Sequence, residues 1–98
     1  MTIKEEQLSE VEKFAGLGCT PREIAIILQV PTEEFYRELM DEQSNVYSRY
    51  HRGLLLAVCQ VREAVLNSAI SGSGPAQAEM RKYFQKAIVE LKQITGEE

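Results

Sequence analysis

The 98 residues, 44% hydrophobic and 27% charged, fit one small folded domain and are too apolar for a disordered chain. A net charge of −4 excludes capture of nucleic acid by bulk electrostatics alone. The start, Met1-Thr2-Ile3-Lys4-Glu5-Glu6, lacks a signal-peptide core, and the apolar run from Leu54 to Cys59 falls far short of the roughly 20 residues of a membrane span, which implies a cytoplasmic protein without a membrane partner.

Helical spacing organises the whole chain, so the predicted class is all-α. Leu8, Val11, Phe14 and Ala15 mark one stripe of a first helix over about 4–15, stopped by Gly16-Leu17-Gly18. Thr20 is a good N-cap, Pro21 suits the first helical position, and Glu23 completes a capping box. A short second helix carries Ile24, Ala25, Ile27 and Leu28 and breaks at Gln29-Val30-Pro31, because a residue before proline is pushed from the α region. Thr32 is expected to cap a third helix running to about residue 40, with Phe35, Tyr36 and Leu39 on its stripe. After the polar joint 41–45, a long fourth helix is predicted over about 46–70, with Tyr47, Tyr50, Leu54, Val58, Val61, Val65 and Ala69 on one face. Gly72-Ser73-Gly74-Pro75 turns the chain into a fifth helix ending near residue 94. Its Met80, Phe84, Ala87, Leu91 and Ile94 alternate spacings of four and three, as in a helix-packing seam. A turn this short makes the last two helices an antiparallel hairpin.

The segment 23–39 has the spacing of a helix-turn-helix, in which two helices cross steeply over a turn of three or four residues. Ala25 is small where the second helix packs closely. Ile24 and Leu28 point into the core, Val30 plugs the turn, and Phe35 and Leu39 anchor the second helix from its buried side. Gln29 stands where many such motifs have glycine, so the chain must bend without its most permissive residue. Thr32, Glu33, Tyr36 and Arg37 are left outward, where a recognition helix meets a major groove. The charge works against that role. Residues 1–43 hold four basic and ten acidic side chains, a net −6, which leaves +2 for 44–98. The candidate DNA contacts are therefore few: Arg22, Thr32, Tyr36 and Arg37, with Arg49 and Arg52 in a basic-aromatic cluster around His51.

The block 15–25 with the Leu28-Gln29-Val30 turn resembles the N-terminal module of phage small terminase subunits. The later features are similar too: Tyr47 to Arg52-Gly53, Val61-Arg62-Glu63-Ala64, a Gly-Pro-Ala turn, and Met80-Arg81-Lys82-Tyr83-Phe84. The likeness spans about residues 10–90 and is one of layout. It implies a helix-turn-helix unit (1–43) that recognises packaging-site DNA, a helical hairpin (44–98) that assembles homo-oligomers, and a large terminase ATPase subunit as partner. Leu54, Leu55, Val58, Val61, Phe84 and Leu91 are the expected oligomerisation residues, because a chain this size has too few partners to cover the run at 54–59. The chain stops soon after its fifth helix, which leaves little length for a separate segment engaging the ATPase.

No catalytic or metal-binding pattern emerges, and neither an enzyme nor a cofactor is expected. Cys19 and Cys59 lack ligand neighbours at short spacing and read as reduced thiols in packing sites. His51 has only Ser48 within a helical turn and no orienting third group. Glu5, Glu6, Glu10 and Glu12 form a charged helix face, and Arg81, Lys82, Lys86 and Lys92 a basic face on the fifth helix. Two rival functions share these features: a small helix-turn-helix regulator from a mobile element, and an interaction module that kept the shape and lost DNA binding.

Overall fold

Each helix starts and stops close to the punctuation that predicts it. The computed structural model describes residues 3–97, which form α1 (Glu5–Gly16), α2 (Pro21–Leu28), α3 (Thr32–Met40), α4 (Asn45–Ile70) and α5 (Gly74–Thr95), with no strand among the described residues. At α2 the capping box closes in both directions. The Thr20 hydroxyl accepts from the Glu23 amide at 3.2 Å, and the Glu23 carboxylate accepts from the Thr20 amide at 2.8 Å. Gln29 adopts the left-handed conformation (φ 57°, ψ 42°), which costs a side-chain-bearing residue about 1–2 kcal/mol. The bend brings the Val30 amide to the Ala25 carbonyl at 3.1 Å, so the end of α2 is satisfied without glycine.

The start of α3 differs from expectation. Pro31 occupies the N-cap position and Thr32 is the first helical residue, with no side-chain cap. Proline already sits in the extended geometry a cap requires (φ −62°, ψ 127°), and its carbonyl accepts from the Phe35 amide, so Thr32 is drawn into the helix.

The chain divides into two compact units, residues 1–59 and 60–98. The first half of α4 thus belongs with the N-terminal helices, whereas the sequence reading places the boundary at 43/44. Its reason lies in the core, where Leu8, Val11 and Ala15 of α1, Ile24, Ala25 and Leu28 of α2, and Phe35 of α3 pack with Val46 and Tyr50 of α4. Val30, Leu39 and Leu54 are half-buried against this cluster. Ser44 locks the joint before α4: its hydroxyl donates to the Glu38 carbonyl and accepts from the Tyr47 amide.

Of the predicted face of α4, Tyr50 and Ala69 are buried and Tyr47, Leu54 and Val65 half-buried, while Val58 and Val61 are exposed. Val46 and Gly53 turn inward beside Tyr50 and lie outside that predicted face. Glycine decides this, because a Cβ on Gly53 would lie 2.1 Å from the Glu12 carbonyl oxygen and 3.1 Å from the Ala15 Cβ. The backbones of α1 and α4 therefore touch at a point where any side chain would hold them apart.

Tyr50 ties the same face to the loop after α1, donating its hydroxyl to the Cys19 carbonyl at 2.9 Å. Burial raises the phenol above its ordinary value, with Cys19 and Glu23 adding in the same direction. The unfolded chain releases this proton near the ordinary value of about 10 and the folded chain only above it, so the contribution is complete below pH 10 and fades as pH rises further. Tyr50→Phe is expected to cost about 0.5–1.5 kcal/mol at neutral pH by removing this half-buried hydrogen bond, and to flatten the alkaline loss of stability. Thermal melts of both proteins between neutral and alkaline pH check this; parallel curves would show that the phenol carries no such linkage.

In the second unit, Ser73 caps α5 by accepting from the Ala76 amide at 3.3 Å. The Gln77 side chain donates to the Ala69 carbonyl at 3.1 Å, and the Arg62 guanidinium stacks 4.3 Å over the Tyr83 ring. The contact moves seven residues back along α4 as it moves six forward along α5, the pattern of antiparallel pairing. Ala69 and Met80 are buried there, but every described residue from 84 onward is exposed. The predicted seam is thus closed only at its first position.

By length and composition alone, α4 could cross a membrane: an 18-residue window reaches a mean hydropathy of 1.3 with 11% of it buried. With at most two charges allowed, that window is 53–70, and Arg62 and Glu63 fall in its middle. At the centre of a bilayer each such charge costs about 2.5–3.5 kcal/mol.

Candidate nucleic-acid interface

The surface of α3 follows from the side it buries. Phe35 is fully enclosed and Leu39 half-buried, which turns Glu33, Tyr36, Arg37 and Met40 outward. Of the predicted contacts, Tyr36 and Arg37 lie together on this exposed side, and Thr32 is half-buried at its start. Arg22 is exposed at the second position of α2. Arg37 shares a shallow depression with Glu34, Glu38 and Asp41, so three carboxylates surround the one basic side chain of the helix. An arginine so placed can still offer two parallel donors to a guanine edge or a phosphate. The surrounding acids oppose a phosphate and compete for the same donors.

Arg49 and Arg52, the two predicted contacts on α4, are engaged elsewhere. Arg49 pairs with Glu5 and lies 3.9 Å from Glu12, and Arg52 pairs with Glu12 at 2.9 Å. Glu12 gives no signal of this in the sequence, where it is one of four acids on an apparently solvated helix face. The four-residue turns of α1 and α4 bring these charges opposite each other once Gly53 lets the helices meet. Arg49, with its side chain 28% exposed, reaches a phosphate only by leaving carboxylates, whereas Arg52, at 61%, keeps an open edge.

His51 is exposed and held against its own helix. Its Nδ1–H donates to the Tyr47 carbonyl at 2.8 Å, and its ring lies 4.0 Å from the Tyr47 ring. Cys19 is half-buried, but Cys59 is exposed beside Leu55 and Leu56, so only the first of the two thiols fills a packing site.

Of the six expected oligomerisation residues, Leu54 packs inward against the core of the first unit. Leu55, Val58, Val61, Phe84 and Leu91 are all exposed, at 39–64% of their surface. Leu56 in the first unit, and Ile88, Val89 and Ile94 in the second, are exposed as well. Their number was foreshadowed by the apolar run at 54–59, but the bare end of α5 was not, since periodicity marks a seam without saying what closes it. No family model, curated protein or solved structure matches this chain.

Proposed function

We propose that the chain is a non-enzymatic, self-associating DNA-binding protein that acts in phage or prophage DNA packaging, in the manner of a small terminase subunit. The observation that carries the reading is the short α2–α3 pair, closed by the left-handed Gln29, with Ala25 and Phe35 wholly buried and Tyr36 and Arg37 outward. This is the arrangement of residue types by which a recognition helix is held to a duplex. The uncovered apolar surface of α4 and α5 supports self-association, which would present several weak DNA-reading copies along one duplex. It also favours burial against further copies over insertion in a bilayer, given Arg62 and Glu63. The partners in this reading are double-stranded DNA, further copies of the chain, and a large terminase ATPase subunit, all in the cytoplasm.

A second reading has one observation in its favour: the carboxylates around Arg37 suit a protein contact better than a phosphate. Titration of a random-sequence duplex pool and of duplexes selected from it, at low and moderate salt, separates the two. Arg37→Ala is expected to weaken selected-site binding by about 1–3 kcal/mol and to relax preference at one base. Glu33→Gln with Glu34→Gln is expected to raise non-selective affinity and steepen its salt dependence. Absence of binding by the assembled protein, with no gain on removing the two glutamates, would mean that the helix pair serves protein contacts instead.

A further inference from the structure

We propose that the basic side of α5 in one copy docks onto the acidic flank of α3 in the next, a head-to-tail contact that rests on, and specifies, the self-association proposed above. On α5, Arg81, Lys82 and Lys86 share a shallow depression with Val89 and Glu90. On α3, Glu34, Glu38 and Asp41 line the depression around Arg37. Arg37 in the same turn and the Gln43 amide, which donates to the Asp41 carboxylate, offset only part of the acidity here. Glu38 lies in the last turn of α3 and Asp41 is its C-cap, with Glu42 next, so carboxylates crowd the negative end of the helix dipole. A cationic partner relieves that repulsion.

The second copy is the occupant that matches. Its α5 supplies Lys82 and Lys86 one helical turn apart, against Glu38 and Asp41 about one turn apart at the end of α3. Both pairs are separated by about 5–6 Å along the helix, so one docking can engage both carboxylates. Val89 and Glu90 in the basic depression suit a protein surface and would meet a phosphate backbone poorly. The contact covers Arg37, so a neighbouring copy and DNA compete for that side chain, but it leaves the rest of the outward side of α3 open. Glu33, Tyr36 and Met40 lie about a third of a turn around the helix from Glu34, Glu38 and Asp41. Where each copy gives its two faces to different neighbours, the interface is heterologous and repetition closes a ring or runs on as a filament; where two copies exchange both contacts, a dimer results.

Light scattering of the full chain tests this with two charge-reversed variants, Glu38→Lys with Asp41→Lys and Lys82→Glu with Lys86→Glu. Lysines at the end of α3 suit the helix dipole, and Lys82 and Lys86 are exposed, so circular dichroism is expected to match the parent. Each variant alone is expected to associate at least about tenfold more weakly than the parent at low salt. An equimolar mixture of the two recovers association, because each then meets a face of opposite sign, and so does the fourfold variant in a single chain. The parent itself is expected to dissociate progressively from about 50 mM to about 500 mM salt. A parent oligomer indifferent to salt, unchanged by either reversal, or not recovered on mixing would overturn this contact while leaving self-association in place. A parent that stays monomeric at every concentration would overturn the self-association reading itself.

Discussion

Gly53→Ala is expected to lower the melting temperature, although alanine in an open helix interior would raise it. Replacing a mid-helix glycine by alanine ordinarily gains about 0.8–1 kcal/mol from backbone entropy. At this position the new methyl would lie 2.1 Å from the Glu12 carbonyl oxygen, a distance no relaxation of a side chain relieves because the obstacle is backbone. The α1–α4 crossing must open, which strains the neighbouring Ala15 contact and draws Glu12 away from Arg52. Overpacking of this kind costs roughly 1–3 kcal/mol after the propensity gain is offset. In a domain of this size each kcal/mol shifts the midpoint by about 4–8 °C, so the loss is visible in a thermal melt followed by circular dichroism. A Gly53→Ala variant more stable than the parent would mean that the two backbones do not touch in solution.

The same glycine shows where sequence reading succeeds and where it stops. Helix ends are local: Thr20-Pro21-Arg22-Glu23 carries its cap within four residues, and the structure closes that cap as the residue types direct. The inward positions of α2 and α3 are also legible, because Ile24, Ala25, Leu28 and Phe35 repeat at helical spacing and all are buried. The inward face of α4 is legible only in part. Val58 and Val61 look as apolar as Val46 and Tyr50 yet are exposed, and what draws Val46 and Gly53 inward is a close approach to α1, a contact between positions some forty residues apart. A lone glycine inside a strongly periodic helix is the one sequence signal of such an approach. Ion pairs between helices leave even less trace: Arg49 and Arg52 appear available for phosphate until their register against Glu5 and Glu12 is known. The candidate DNA-reading side of α3 was legible because burying Phe35 fixes what remains outward. The acids that share Arg37's depression were visible in composition, though their grouping on one flank needs the helix to be drawn.

Phe35→Ala is expected to abolish both the fold of the first unit and any DNA binding by it, although the side chain has no surface to offer DNA. Phe35 is 0% exposed and, with Ile24 and Val11, among the largest enclosed side chains of the core. Truncating a phenylalanine in such a place costs about 3–5 kcal/mol, from lost transfer energy and from the cavity left behind. Small domains are stable by roughly 5–15 kcal/mol in total, and one unit of 59 residues sits at the low end. The remaining anchor of α3 would be Leu39, which is only half-buried, with no side-chain cap at the start of the helix to compensate. The outward Tyr36 and Arg37 lose their orientation with the helix that carries them. Phe35→Leu, which keeps most of the volume, is expected to cost less than about 1.5 kcal/mol where neighbours repack, and to retain binding. The comparison separates two roles that a single substitution would confound, because a residue acting only through packing is rescued by volume and one acting by contact is not. Thermal melts of the three proteins, with duplex titration below each midpoint, read both quantities. A Phe35→Ala variant that melts within a few degrees of the parent would show that α3 is held by something other than this core.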